Sequence, residues 1–336
     1  MISRLTAYAV TTAVFAALLS ACGGSSGGSN LSSQANAVSV SVSGLSGSLA
    51  LQLTPGDSTL TVTANGLATF SGTVNSGGTY GVTITTQPAG QYCTLGNNAG
   101  TANAAVIVTA TCNTSVGGVW KASNGTTQYL EIADELGDFY VLGTTSPSVG
   151  YGVTLTELDV GLLSVSNNTV TGTYVGVSGN SPGSGTVSGT VVSQTALDLT
   201  TQFASSTSTT SQTLNYAYDA LYQVPSSLSA IASNYIDSQN DVWSISISGL
   251  ANVQSASTGC VGNGQVSLID GRYNVYNIQF TYALCTGSSA YLNGAQFFGI
   301  VTLDTESSPT VLLGGATAEL PNGSGELIVP LVLQSN

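Results

Sequence analysis

Apolar residues recur at every second position through most of this chain. Val38, Val40 and Val42 share one parity, and Ser39, Ser41 and Ser43 share the other. Leu49, Leu51 and Leu53 repeat the pattern, as do Leu60 with Val62, Val82 with Ile84 and Val106 with Val108. An extended strand points successive side chains to opposite faces, so this period builds half-buried antiparallel strands. Turn signals punctuate the runs: Pro55-Gly56-Asp57, Asn65-Gly66, Ser76-Gly77-Gly78 and Gly96-Asn97-Asn98. Asn-Gly takes positive φ at both central turn positions and closes tight hairpins. About seven short strands in residues 38–115 predict a small immunoglobulin-like sandwich.

Gly117-Gly118 reads as a hinge, and strand-like runs then continue to the end of the chain. Residues 117–336 are therefore expected to form a larger, antiparallel β-barrel-like domain, because closure removes exposed strand edges. Asp270-Gly271, between QVSLI and YNVYNIQF, predicts a tight hairpin, and Ser181-Pro182-Gly183 a turn. Residues 224–237 (VPSSLSAIASNYID) break the β rhythm. Leu228, Ile231, Ala232 and Tyr235 fall at helical spacing behind Ser226 or Ser227, so one short helix is expected there. GVWKAS and DVWSIS each open a strand with Trp, which suggests an internal duplication. The fold class is thus all-β: a small sandwich, then a larger barrel-like domain with one short helix.

The amino terminus follows a different logic. Arg4 precedes an apolar run from Leu5 to Leu19, too short to span a bilayer comfortably and suited to a signal peptide. Leu19-Ser20-Ala21-Cys22 closes it and resembles the lipobox of bacterial lipoproteins. The resemblance implies removal of residues 1–21 and acylation of Cys22; Gly23 in place of Asp implies the outer membrane. Residues 22–37 then read as the lipidated cysteine and a flexible tether of small polar residues. Within 38–115, the segments VSGLSGSLALQL, LTVTANGLATF, YGVTITTQPAGQYCTLGNNAGT and VIVTATC resemble a repeat domain of uncharacterised proteobacterial lipoproteins. GCVGNGQVSLIDGRYNVYNIQFTYALC, with LYQVPSSLSAIASNY upstream and LNGAQFFGIVTLD downstream, resembles a carboxy-terminal β domain of such proteins. These resemblances imply a membrane partner through the lipid anchor, and exposure on the periplasmic face or the cell surface.

Composition narrows the chemistry. Sixteen acidic residues against three basic ones give a net charge of −13, which disfavours nucleic acid as a partner. The chain contains no His, which removes Ser-His-Asp and Cys-His catalysis and the commonest metal ligand. Setting Cys22 aside leaves four cysteines, whose sequence-local pairing is Cys93 with Cys112 and Cys260 with Cys285. No cofactor is expected. Glu157 and Asp159 share a strand face and could serve as a glycosidase carboxyl pair. Glu131, Asp134, Glu135 and Asp138 could line a calcium loop but lack the usual spacing. Tyr216, Tyr218, Tyr222, Tyr273, Tyr276 and Tyr282 are candidate contacts for a glycan or protein, or else barrel filling. The expected function is non-enzymatic: surface binding or envelope structure. The alternatives are a lipocalin-like carrier of a small apolar ligand, for which a Gly-x-Trp opening is a weak sign, and a surface-glycan hydrolase.

Overall fold

The computed structural model describes residues 34–256, 258–321, 323 and 325–336. The signal segment, Cys22 and most of the tether lie outside the described residues. The fold is all-β, and it has three cores rather than two.

The first core is a sandwich of eight strands: β1 (Ala35–Ser43), β2 (Leu49–Thr54), β3 (Ser58–Val62), β4 (Gly66–Asn75), β5 (Gly78–Thr86), β6 (Gln91–Gly96), β7 (Ala99–Ala102) and β8 (Val106–Thr114). They form two four-stranded sheets, ordered β4-β1-β8-β6 and β3-β2-β5-β7. β1 begins inside the expected tether, where Ala35 to Ala37 pair with β4. The alternating residues meet between the sheets: Val38, Val40 and Val42 from one face Leu49, Leu51 and Leu53 from the other, all buried. Cys93 and Cys112 are direct cross-strand partners on β6 and β8 and form a disulfide.

Residues 117–336 hold two barrels instead of one. The first comprises β9 (Gly118–Asn124), β10 (Thr127–Ala133), β11 (Asp138–Thr144), β12 (Leu155–Ser166), β13 (Thr169–Ser178), β14 (Ser181–Val192), β15 (Ala196–Ser205) and β16 (Thr209–Asp219). Each strand pairs antiparallel with the next, and β16 returns to β9. Asn167 and Asn168 close the β12–β13 hairpin with φ of 48° and 67°, a conformation that Asn tolerates better than most residues. The expected turn at residues 181–183 is instead strand: Pro182 lies opposite Val177 in the β13–β14 ladder.

A 3₁₀ turn (Ala220–Gln223) and helix α1 (Leu228–Ile231) connect the barrels. Asp219 Oδ1 accepts the Leu221 N–H at the start of the 3₁₀ turn, and Ser227 Oγ accepts the Ala230 N–H at the start of α1. The helix is shorter than its sequence pattern suggested, because Tyr235 leaves it for a strand. That strand, β17 (Ser233–Ile236), closes the second barrel between β18 and β24.

The second barrel continues with β18 (Val242–Ile245), β19 (Leu250–Gln254), β20 (Val261–Leu268), β21 (Tyr276–Ala283), β22 (Gln296–Asp304), β23 (Val311–Glu319) and β24 (Glu326–Ser335). Trp120 and Trp243 fall one in each barrel, on β9 and β18. The β20–β21 connection runs from Ile269 to Val275 and is not the tight hairpin expected at Asp270-Gly271. Asp270 instead accepts the Arg272 N–H and its guanidinium, and the loop reaches out to its neighbours.

The barrels pack side by side through an apolar layer. Leu130, Ile132, Tyr140 and Leu142 leave the outer face of the first, and Ile300, Val311 and Leu313 leave the second. The Tyr140 hydroxyl donates to the Phe298 carbonyl across this seam at 3.1 Å. The sandwich meets the second barrel where Arg272 Nη1 donates to the Gln87 carbonyl at 2.8 Å, and the first where the Thr114 hydroxyl donates to Asn168. The Ser115 N–H donates to the Gly90 carbonyl at 3.0 Å and extends the β6–β8 ladder into the connection.

Candidate functional site

The most unusual chemistry lies inside the first barrel. Strand β10 alternates Tyr129, Glu131 and Ala133 inward with Leu130 and Ile132 outward. Both of its faces are buried, one in the barrel and one against the second barrel. On β12, Glu157 and Asp159 also point inward. The register aligns Glu131 with Val141, Val141 with Asp159, and Asp159 with Gly176, so both carboxyls share one interior row. Tyr129, Gly143 and Glu157 form the adjacent row.

Two glycines make the room. A Cβ at Gly176 would collide with Asp159 Oδ1, and one at Gly143 would stand 2.8 Å from Glu157 Cβ. The remaining space beside the acids is about 10 Å³, bounded by Tyr174, Thr201, Gln212 and Tyr216 among others. That is room for about one water molecule. Exposure falls along the series: Glu157 is half-buried, Asp159 is 6% exposed and Glu131 is 0% exposed.

Hydrogen bonds serve the outer acid and not the inner one. Gln212 accepts from the Tyr129 hydroxyl at 3.2 Å and donates to Glu157 at 3.4 Å. Glu157 and Asp159 face the same interior space, so the charge of one disfavours that of the other. The Tyr216 hydroxyl faces Glu131 and favours its ionised form, yet neither carboxyl oxygen receives a well-formed hydrogen bond. Burial pushes Glu131 up to about 8, from an ordinary 4.5. Asp159 is raised well above the usual carboxylate range by burial and then by the Glu157 charge. Glu157 is raised by burial.

The candidate calcium loop does not assemble. Glu131 points into the barrel, while Asp134 accepts the Leu136 and Asp138 N–H groups and shapes the β10–β11 turn. Burial raises Asp134 to about 7. Glu135 accepts the Tyr222 hydroxyl at 2.6 Å, and Asp138 is exposed. Glu131 and Asp138 lie on strands and Asp134 and Glu135 in the turn between them, so the four acids do not converge. Among the described residues, no group of three or more acids or cysteines is placed to hold a metal ion.

The six singled-out tyrosines do not form one exposed patch. Tyr216 lies inside the first barrel, and Tyr218 packs edge-on to Trp120 at 5.1 Å. Tyr222 and Tyr273 stack at 4.8 Å in the corner beneath Arg272, whose guanidinium carbon is 5.0 Å from the Tyr273 centroid. Tyr276 belongs to the core of the second barrel, and Tyr282 packs against Phe280 and Phe297 there. That barrel is filled by Trp243, Phe280 and Phe297, with the two Phe rings stacked at 4.7 Å. Cys260 and Cys285 form its disulfide and pack on Leu292.

A larger cavity, about 190 Å³, lies between the barrels. Val119, Leu130, Val149 and Leu313 supply apolar walls, and Lys121, Gln128 and Ser148 supply polar groups. Lys121 is ion-paired with Asp219.

The interior role of Glu131 escapes a sequence reading because Leu130 and Ile132 look like the core face of their strand. The parity of Tyr129 and Ala133 with Glu131 was the available signal. Gln212 and Tyr174 carry no local signal. Compared with protein-family models, with curated proteins and with solved structures, the chain matches none.

Proposed function

We propose that this chain is an outer-membrane lipoprotein, acylated at Cys22, whose folded part acts without catalysis, by surface binding or as an envelope structural element. The observation that carries the reading is the way three filled β cores are tied into one body. The barrels share an apolar seam, and Arg272 ties the second barrel to the sandwich. A body of this kind presents its surfaces at a fixed spacing from one another, at the end of the tether. The glycan-hydrolase alternative fits less well, because the space beside Glu157 and Asp159 holds about one water and not a sugar ring. The carrier alternative, which places a small apolar ligand inside the carboxy-terminal barrel, also fits less well, because the second barrel is filled by side chains and the first leaves about 10 Å³.

The test is metabolic labelling with radioactive palmitate in a Gram-negative host, followed by membrane fractionation. The wild-type chain is expected to take up label and sediment with outer membranes. Cys22→Ser is expected to lose the label and appear in the periplasmic fraction. An unlabelled, soluble wild-type chain would overturn the proposal.

A further inference from the structure

The acids inside the first barrel face no positive charge. Glu131 on β10 is confronted by Asp159 and Glu157 from β12, Tyr216 from β16 and Tyr174 from β13, with Tyr129 on its own strand. Strands β11, β14 and β15 contribute Phe139, Val141, Val187, Leu199 and Thr201, none of which ionises. The basic side chains among the described residues are Lys121 and Arg272. Both lie outside the barrel, paired with Asp219 and Asp270.

A buried carboxylate without hydrogen bonds or a counter-charge is strongly disfavoured, and the group neutralises instead. Glu131 meets that description, since it is fully buried and both oxygens lack partners. Two neighbouring carboxyls cannot both ionise without mutual repulsion, and Glu157 and Asp159 stand two residues apart on β12 and face the same interior space. No metal-holding geometry is available among the described residues. We propose that the interior of the first barrel is a proton-binding site, in which Glu131 and the Glu157–Asp159 pair retain protons at neutral pH, and that their release destabilises this barrel. Glu157, half-buried at the outer end of the series, provides the route by which protons exchange with solvent.

The direction follows from linkage. A carboxyl whose folded value lies above its unfolded one stabilises the fold in acid, and that stability drains away as pH rises through the folded value. For Glu131 the window runs from 4.5 to about 8. Within it, each retained proton raises the unfolding constant by up to about tenfold per pH unit.

Trp120 and Trp243 are the two tryptophans of the chain, so the full chain carrying Trp243→Phe reports on the first barrel alone through Trp120 fluorescence. Denaturant unfolding between about pH 5 and pH 9 is expected to show stability falling with pH. Adding Glu131→Gln is expected to flatten much of that slope. Asp134 and Glu135 are also raised by burial, so the difference between the two proteins carries the test. An equal slope in both would overturn the proposal. If Glu131→Gln fails to fold, infrared spectroscopy of the wild-type chain reads the protons directly. A buried carboxylic-acid carbonyl band present at neutral pH and lost in alkali supports the proposal, and its absence at neutral pH overturns it. Calcium that raises the midpoint and abolishes the pH dependence would also overturn it, by putting a cation where protons are claimed.

Discussion

The two barrels have the same number of strands, the same antiparallel order and one Trp each, yet only one of them encloses acids. The first adds Glu131, Glu157, Asp159 and Gln212 to an apolar core that includes Trp120, Phe139 and Phe203, with Gly143 and Gly176 leaving room for carboxyl groups. The second is packed with Trp243, Phe280 and Phe297 around aliphatic side chains. Closure of the sheet satisfies the backbone in both cases and leaves the interior free to differ. Each barrel has an apolar core of its own, and their outer faces supply the two sides of the seam between them.

The contrast is broken most forcefully in the second barrel. Phe297 is 0% exposed and stacks on Phe280. Phe297→Ala is expected to cost about 3–5 kcal/mol, since it removes a large ring and leaves a cavity among aromatic neighbours that cannot all close in. Denaturant unfolding followed at Trp243 checks this, and a loss below about 1 kcal/mol would mean that the interior repacks freely. In the first barrel the matching probe adds an atom. Gly176→Ala places a Cβ against Asp159 Oδ1 and 2.8 Å from the Leu158 carbonyl oxygen, which is backbone and cannot step aside. A loss of about 1–3 kcal/mol is expected. The Trp120 signal reads it, and an unchanged midpoint would show that the acid row is loosely held.

How far the sequence foretells this contrast depends on strand parity. In the sandwich, Val38, Val40 and Val42 have one wet face, so alternation reports the core directly. Strand β10 is buried on both sides. Its Leu130 and Ile132 then imitate a core face, and Glu131 reads as part of an acidic loop with Asp134, Glu135 and Asp138 although it points into the barrel. The number of barrels is hidden for a related reason. Residues 220–236 mix a 3₁₀ turn, a single helical turn and a strand, and none leaves a long enough pattern to mark where one barrel ends. The cysteines need no such context. Both pairs are close in sequence, and both form disulfides.

The corner where the three cores meet tests whether the two barrels also differ in how they hold the sandwich. Arg272 comes from the second barrel. It grips Asp270 through Nε and Nη2, donates to the Gln87 carbonyl and lies over Tyr273. Arg272→Ala removes the tie to the sandwich and the ring contact together. With the side chain about a third exposed, at 35%, a loss of about 1–2 kcal/mol is expected. Limited proteolysis should find the 115–117 connection cut faster in the variant. Equal cutting would place the weight of the junction on the contact between Thr114 and Asn168 of the first barrel instead.

Lys121 is the corresponding basic residue of the first barrel, and the smallest effect is expected there. Its side chain is 58% exposed, and its partner Asp219 has a second role that does not need it. Asp219 Oδ1 accepts the Leu221 N–H and so starts the 3₁₀ turn between the barrels whether or not the lysine is present. An exposed ion pair contributes about 0–1 kcal/mol, since solvent screens it and two side chains must be held still. Lys121→Ala should therefore shift the unfolding midpoint read at Trp120 by no more than that, and raising the salt concentration should shrink the difference further. A larger, salt-insensitive loss would mean that the lysine stem seals the cavity between the barrels, which it helps to line. The first barrel would then depend on its outer wall as much as on the acids it encloses.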